Sequence, residues 1–213
     1  MAEKTYDLIV LGGGPGGYRA AERAGALGKS VLLVEKAHLG GVCLNRGCIP
    51  TKSLLHSAKL YKHSLDGAQF GVKVQGVEFD LPSAMAWKSR VITTLRKGIA
   101  YQMKRFGVEV VEGDGRLTGP KTVEVAGTSY NGDNLIIATG SSPFILPIEG
   151  VEREDVITSS EILEIESLPA SIAIIGGGVI GMEFASFFST LGVEVHVIEM
   201  LDEIVPVLDD DIA

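Results

Sequence analysis

Apolar positions along the chain fall into short runs of the kind that build strands, separated by glycine clusters and by longer stretches with helical spacing. Residues 6–11 are an apolar, β-branched run that stops at Gly12-Gly13-Gly14-Pro15-Gly16-Gly17. An alanine-rich helical pattern follows over 18–27, and Gly28 stands where a left-handed cap would close it. Residues 31–34 predict a second strand that ends at Glu35. Strand, glycine turn, helix and strand make a βαβ unit. A glycine-bounded loop then carries both cysteines, and 51–62 predict a helix. Residues 68–80 read as irregular or strand-like, and Ser83 is the expected cap of a long helix that Gly107 ends. Trp87, Val91, Leu95, Ile99 and Met103 recur there at i+4 and predict its buried stripe. Lys88, Arg90, Arg96, Lys97, Lys104 and Arg105 predict its solvated face. Short strands are expected over 108–111, 115–117 and 122–125, and a buried-type strand over 135–138 runs into Thr139-Gly140-Ser141. Pro143, Pro147 and Gly150 mark a linker before a new strand at 171–175.

From there the pattern repeats. Residues 7–35 have a counterpart in 171–199, with G-x-G-x-x-G on Gly12, Gly14 and Gly17 in one copy and on Gly176, Gly178 and Gly181 in the other. Each copy continues through a helix, a glycine (Gly28, Gly192) and an apolar strand that ends in glutamate, and both Gly12 to Glu35 and Gly176 to Glu199 are 23 residues. The chemistry needs these parts. The first glycine allows the tight turn, the second lets a pyrophosphate approach the backbone, and the third lets helix and strand pack closely. The helix start then faces an anion with unbonded N–H groups and the positive end of its dipole. The glutamate accepts hydrogen bonds from a ribose diol and repels a 2′-phosphate. Two such units in one chain predict two dinucleotide cofactors that exchange electrons.

Composition narrows the partners. The chain has 213 residues, 46% of them hydrophobic and 22% charged, which is a globular balance with ample core. A net charge of −8 argues against a nucleic-acid or anionic-membrane partner. Glycine, at 27 residues, is in excess and clustered at the turns. The opening residues predict no signal peptide, and no apolar run approaches the ~18 residues of a membrane span. A cytoplasmic protein is expected, or one of an organelle matrix.

The two cysteines, Cys43 and Cys48, lie just after Glu35 in the run Gly40-Gly41-Val42-Cys43-Leu44-Asn45-Arg46-Gly47-Cys48-Ile49-Pro50-Thr51-Lys52. A regular helix would separate them by about 7.5 Å along its axis, beyond the ~6.8 Å between Cα atoms that a disulfide spans. A bridge therefore requires an irregular turn, which Gly47 and Pro50 permit. Three readings of these residues stand. Two thiols that never pair are one. A zinc site is another, but it needs three or four ligands, and His38, His56, His63 and His196 show no ligand spacing. A redox disulfide beside the first dinucleotide site is the third. It suits the position best, because so short a loop contributes little as a staple, and a thiolate at a helix start near Lys52 is stabilised by positive charge.

With these motifs in place the chain resembles the pyridine nucleotide–disulfide oxidoreductases, and within them the dihydrolipoamide dehydrogenase branch, the E3 component of 2-oxo acid dehydrogenase complexes. The resemblance rests on GGVCLNRGCIPTK at 40–52, the first glycine turn, Ile137-Ala138-Thr139-Gly140-Ser141, and GGGVIGME at 176–183. It implies FAD at the first turn, on Gly12, Gly14, Pro15, Gly16 and Gly17, with Glu35 on the adenosine ribose. Lys36, Gly40, Gly41, Val42, Gly115, Thr139, Gly140 and Ser141 would line the rest of the FAD site. It implies NAD at the second turn, on Gly176, Gly178, Val179, Ile180, Gly181 and Glu199, with Val179 bordering the nicotinamide channel. Cys43 is then the interchange thiol that attacks lipoamide, and Cys48 is the charge-transfer thiol against the flavin. Lys52 stands near flavin N5, paired with Glu183. Glutathione, trypanothione and mercuric reductases share the family but mostly use NADPH, with arginines at the second ribose, so Glu199 favours NAD.

The implied reaction is NAD-linked oxidation of protein-bound dihydrolipoamide. The implied partners are a lipoyl domain of a 2-oxo acid dehydrogenase complex or the lipoylated glycine-cleavage H protein, with a second copy in a homodimer. The implied fold is α/β: two Rossmann-like FAD/NAD(P)-binding units, the second incomplete, with a small β-meander inserted in the first. Residues 1–148 are the expected FAD-binding domain, short of its C-terminal return segment, and 149–213 the first part of the NAD-binding domain. Family members are longer. Their later Gly-Asp motif, the rest of the NAD domain and the dimerisation domain that carries a His–Glu base have no counterpart here, so this chain alone is not expected to turn over.

Overall fold

The computed structural model describes residues 5–209 and 211. In chain order its elements are β1 (Thr5–Leu11), α1 (Pro15–Ala26), β2 (Val31–Glu35), α2 (Gly41–Arg46), α3 (Cys48–Asp66), a 3-10 turn (Gly67–Phe70), α4 (Leu81–Arg105), β3 (Val108–Glu112), β4 (Gly115–Gly119), β5 (Thr122–Val125), β6 (Thr128–Ile137), a second 3-10 turn (Glu161–Glu164), β7 (Ser171–Ile175), α5 (Val179–Thr190) and β8 (Glu194–Ile198). The chain divides into two compact units. One takes the chain up to Ile49 and Val91–Leu146, and the other takes Pro50–Arg90 and the chain from Pro147 onward. Helices α3 and α4 thus each run from one unit into the other.

The first unit is built on a six-stranded sheet in the order β3-β2-β1-β6-β5-β4. β1 pairs in parallel with β2 and with β6, and β2 in parallel with β3. β2 is at most 1% exposed over Val31–Val34, as a parallel strand covered on both faces requires. Successive side chains alternate between faces. Val10, Val31 and Leu33 pack with Ala21 of α1 and Met103 of α4, whereas Ile9, Leu11, Leu32 and Val34 pack with Val123 and Val125.

The meander inserted in the first unit is continuous with its main sheet. The expected strand over 135–138 is the end of a longer strand, β6, whose first residues pair antiparallel with β5 and whose last residues pair in parallel with β1. One strand therefore belongs to both parts, and β4 and β5 extend the same sheet. The hairpin that makes this possible turns at Ala126 and Gly127, with φ of 49° and 79°, the two positive values of a type I′ turn.

In the second unit β7 and β8 form a parallel pair. Phe184, Phe187 and Phe188 of α5 pack with Leu54 and Ala58 of α3, Leu81 and Ala84 of α4, and Ile162 and Leu163. The inner faces of the two strands, through Ile172, Ile174 and Val195, rest on that cluster.

Helix α4 corrects two expectations. Its cap is Asp80, not Ser83: the Asp80 carboxylate accepts the Ser83 backbone N–H at 3.1 Å and the Ser83 hydroxyl at 2.6 Å. Its buried stripe also differs: Met103 is buried as expected, but Trp87 and Leu95 are exposed, and Leu81, Ala84, Lys88 and Ile92 are buried. Four residues advance a helix by about 400°, so a strict i+4 series drifts about 40° per step and leaves its face within a few turns. The mixed i+3/i+4 series stays on it. Lys88, placed on the solvated face by its charge, is 1% exposed.

Candidate functional site

The residues singled out in the sequence fall into two groups, one in each unit. In the first unit, β1 ends at Leu11 and the chain turns at Gly12 with φ of 105°. Gly14 is the N-cap of α1, Pro15 is in its first turn, and neither a capping side chain nor an acidic residue stands there. Gly17 lies against the start of its own turn: a methyl group on it would sit 1.8 Å from the Gly12 carbonyl oxygen. That fits the third glycine of a dinucleotide turn, required for helix and strand to approach. An uncapped helix start lined by glycine is where a pyrophosphate fits, facing backbone N–H groups and the dipole.

Glu35, at the end of β2, lies beneath this turn. Its carboxylate accepts the Gly13 N–H at 2.7 Å and the Ala37 N–H at 2.8 Å. Lys36 is exposed. Thr139 follows β6 past the turn, where the Ala138 N–H continues the ladder to the Leu11 carbonyl at 2.8 Å. Gly140 and Ser141 are exposed beyond it. Gly115, at the start of β4, is packed closely. A methyl group on it would lie 2.5 Å from Leu11 Cδ1 and 3.0 Å from Val34 Cγ1, so its bareness serves the packing of β4 over β1 and β2.

The cysteine run, expected as a loop, is helical. Gly40 donates its N–H to the Gly13 carbonyl at 2.8 Å, which ties the segment to the turn. Gly41 starts α2 so close to it that a methyl group there would sit 2.6 Å from Gly14 Cα. Val42 is exposed, Cys43 half-buried on α2, and Cys48 exposed at the start of α3. The expected irregular turn lies between them: Gly47, with φ of −148° and ψ of −116°, breaks the helix.

Two further residues, Asn45 and Arg96, hold this segment. Asn45 donates its side-chain N–H groups to the carbonyls of Gly41 at 2.7 Å and Leu39 at 3.2 Å. Arg96 of α4, counted on the solvated face, donates to the Asn45 side-chain oxygen. An asparagine inside a six-residue helix was the available signal, because its side chain competes with helical bonds unless it serves a neighbouring backbone.

The second unit reproduces the turn. Gly176 has φ of 105°, and Gly178 caps α5 with φ of −73° and ψ of 177°, against −73° and −177° at Gly14. A methyl group on Gly181 would lie 2.1 Å from the Gly176 carbonyl oxygen. Val179 and Ile180 are exposed on the first turn of α5, which again has no capping side chain and no acidic residue. Glu199 accepts N–H groups from Gly177 at 2.6 Å, Met200 at 2.7 Å and Leu201 at 2.9 Å. The donors of Leu201, Gly177 and Met200 hold its carboxyl below the ordinary carboxylate range.

In the same unit Lys52 of α3 and Glu183 of α5 form the expected ion pair. The Lys52 side chain is 60% exposed, and a pair that open adds at most about 1 kcal/mol to stability. Lys88 is a buried cation. Its ammonium donates to the Leu163 carbonyl and, at 2.9 Å, to Glu164, whose side chain reaches solvent. Among the described residues no cluster of metal-ligating side chains occurs, and no helix is long and apolar enough to cross a membrane.

The pyridine nucleotide-disulphide oxidoreductase family model matches residues 6–213. Dihydrolipoyl dehydrogenase of Acholeplasma laidlawii is 47% identical over 214 residues, covering 98% of this chain and 64% of its own. That of Thermus scotoductus is 45% identical, covering 99% of this chain and 45% of its own. That of Bacillus subtilis is 44% identical, covering 98% and 47%. The chain thus spans about half to two-thirds of the length of these relatives. Among solved structures, the HOCl-induced flavoprotein disulfide reductase RclA from Escherichia coli superposes with a TM-score of 0.84 at 29% identity, over 97% of this chain and 45% of that one. Its Cu(II) complex gives 0.83 at 28% identity. With the two glycine turns, the cysteine helix pair and the match over 6–213 together, the chain belongs to the pyridine nucleotide-disulphide oxidoreductase family.

Proposed function

We propose that this chain is the disulfide-bearing, FAD-binding part of a dihydrolipoamide dehydrogenase, together with the opening of its NAD site, and that the whole protein oxidises dihydrolipoamide carried on a partner. The observation that carries the reading is the docking of the cysteine run on the first glycine turn, through the Gly40 N–H on the Gly13 carbonyl at 2.8 Å and the close approach of Gly41 to Gly14. With the thiol pair beside the glycine turn, the reading is supported by relatives named dihydrolipoyl dehydrogenase.

FAD would be held on the turn from Gly12 to Gly17 with Glu35 at its ribose, lined further by Gly115 and Thr139–Ser141, and NAD on the turn from Gly176 to Gly181 with Glu199. Bound there, the flavin would accept an electron pair from the Cys43–Cys48 dithiol and NAD+ would take it up as hydride. The residues of this chain do the rest. A substrate thiolate attacks Cys43 Sγ of the Cys43–Cys48 disulfide, the S–S bond breaks, and Cys48 leaves as a thiolate. The second substrate thiol attacks the mixed disulfide, releasing Cys43 and the cyclic disulfide product, so two thiols are oxidised and one disulfide is reduced. Lys52, held by Glu183, contributes positive charge where Cys48 and the flavin would meet. Asn45 and Arg96 keep α2, and with it Cys43, at a fixed place against the turn. The substrate group is a lipoyl domain of a 2-oxo acid dehydrogenase complex or the lipoylated H protein. The base that receives the thiol proton comes from a second copy in a homodimer.

The test uses the protein that carries this sequence, with Cys43→Ser and Cys48→Ser. NAD-linked oxidation of dihydrolipoamide falls by at least about a thousandfold in each, while flavin absorbance stays. Turnover retained in either variant, or a preference for glutathione disulfide with NADPH, overturns the assignment.

A further inference from the structure

Resting on the reading of both turns as dinucleotide sites, we infer that the two ribose-reading carboxylates differ in capacity: Glu35 can receive both hydroxyls of a ribose diol, and Glu199 only one. An ionised carboxylate offers about four acceptor positions, two on each oxygen. At Glu35, Oε2 accepts the Gly13 N–H at 2.7 Å and Oε1 the Ala37 N–H at 2.8 Å, which leaves one position on each oxygen. At Glu199, Oε2 accepts the Gly177 N–H at 2.6 Å, while Oε1 accepts the N–H groups of both Met200 at 2.7 Å and Leu201 at 2.9 Å. Oε1 of Glu199 is full. The difference is one backbone donor, the N–H of Met200. Lys36, which follows Glu35 as Met200 follows Glu199, donates no such bond.

The consequence is a difference in grip between two turns whose backbones match. At Glu35 the adjacent hydroxyls of a ribose each meet their own oxygen. At Glu199 only Oε2 is open, so one hydroxyl is bonded and its neighbour stays with water. Both carboxylates also brace the turn they read, through Gly13 and Gly177, so a binding group doubles as part of the fold.

Binding of modified nucleotides tests this without altering the protein. With the first site filled by flavin, ADP-ribose and its forms lacking the 2′- or the 3′-hydroxyl of the adenosine are titrated by calorimetry. Loss of one hydroxyl weakens binding about tenfold, as expected for a hydrogen bond to a charged acceptor, and loss of the other changes it by less than about twofold. At the first site, flavin-free protein is reconstituted with FAD lacking either adenosine hydroxyl, and each loss weakens binding by a similar factor. Equal losses at the second site, or one-sided loss at the first, overturn the inference alone. Failure of ADP-ribose to bind at all overturns the dinucleotide reading and the inference with it.

Discussion

At Gly12 and at Gly176 the chain turns with the same φ of 105°, yet a methyl group added at Gly12 would lie 2.2 Å from the Ala138 carbonyl oxygen, whereas one added at Gly176 meets nothing within 4 Å. The same contrast holds at the second glycine, where Gly14 has Gly41 Cα at 3.6 Å from such a methyl and Gly178 has nothing within 4 Å. The first turn is walled by β6 and by the cysteine run. The second, among the described residues, has no such walls at its first and second glycines, and only its middle glycine, Gly177, is closed on, by Ile204 at 2.8 Å from such a methyl and by the Val205 N–H on its carbonyl at 2.8 Å. The backbone of the turn is thus a local property of its glycines and of the strand–helix pair they join, for it forms alike in both settings. The surroundings decide what else each glycine must satisfy.

Exchanging single glycines separates the local requirement from the imposed one. The largest effect falls at the third glycine, where the clash is inside each copy. Gly17→Ala and Gly181→Ala put a methyl 1.8 Å and 2.1 Å from the carbonyl oxygen of the first glycine, so helix and strand must part in either unit. Each variant loses about 4 kcal/mol or more, the range of severe single substitutions, in urea unfolding of the affected unit. Unequal losses would mean that the two turns are not equivalent.

A smaller effect splits the copies. Gly176→Ala carries only backbone strain, about 1–3 kcal/mol. Gly12→Ala carries the same strain and must also push the Ala138 carbonyl away, which adds about 2 kcal/mol. Unfolding of the two variants side by side checks this. Equal costs would show that the wall formed by Ala138 and Thr139 yields freely.

The parts of the molecule that were legible in the sequence are those that a residue type specifies by itself. Glycine at 12, 14 and 17 dictates a backbone, and the apolar run of β2 dictates a strand covered on both faces, so the βαβ units and the family followed from short segments. What stayed hidden depends on partners far along the chain. Lys88 is buried because Leu163 and Glu164, 75 and 76 residues on, receive its ammonium. Arg96 leaves the solvated face because Asn45, 51 residues earlier, accepts from it. The first half of β6 is polar and carries no strand pattern of its own, and the hairpin at Ala126 and Gly127 lays it against β5. The site itself was legible as a list of residues. The second duty of Glu35 and Glu199 was not, because their donors are backbone N–H groups, which every sequence carries.

The smallest expected effect concerns acid. Asp7, at the start of β1, is lowered chiefly by the backbone and side chain of Ser30. Its counterpart in the repeat is Ser171, so the second copy has no carboxylate there. Its lowered carboxylate in the repeat stands at the other end of the motif, on Glu199, held by the N–H groups of Leu201, Gly177 and Met200. A carboxyl whose folded pKa lies below its ordinary value of 4.5 stabilises the fold above that pH, and the contribution drains away as pH falls through the folded pKa. Glu199→Gln removes this term and turns an amide NH2 toward backbone donors. At neutral pH the variant is therefore the less stable, and the gap narrows as pH falls below about 4.5 until the two chains converge. Urea unfolding of both chains from neutral pH into acid measures it, and the difference between them cancels the acid response they share through Asp7, Asp80 and Asp155. A gap that stays constant with pH would mean that the bonds under the second turn do not depend on the charge of Glu199.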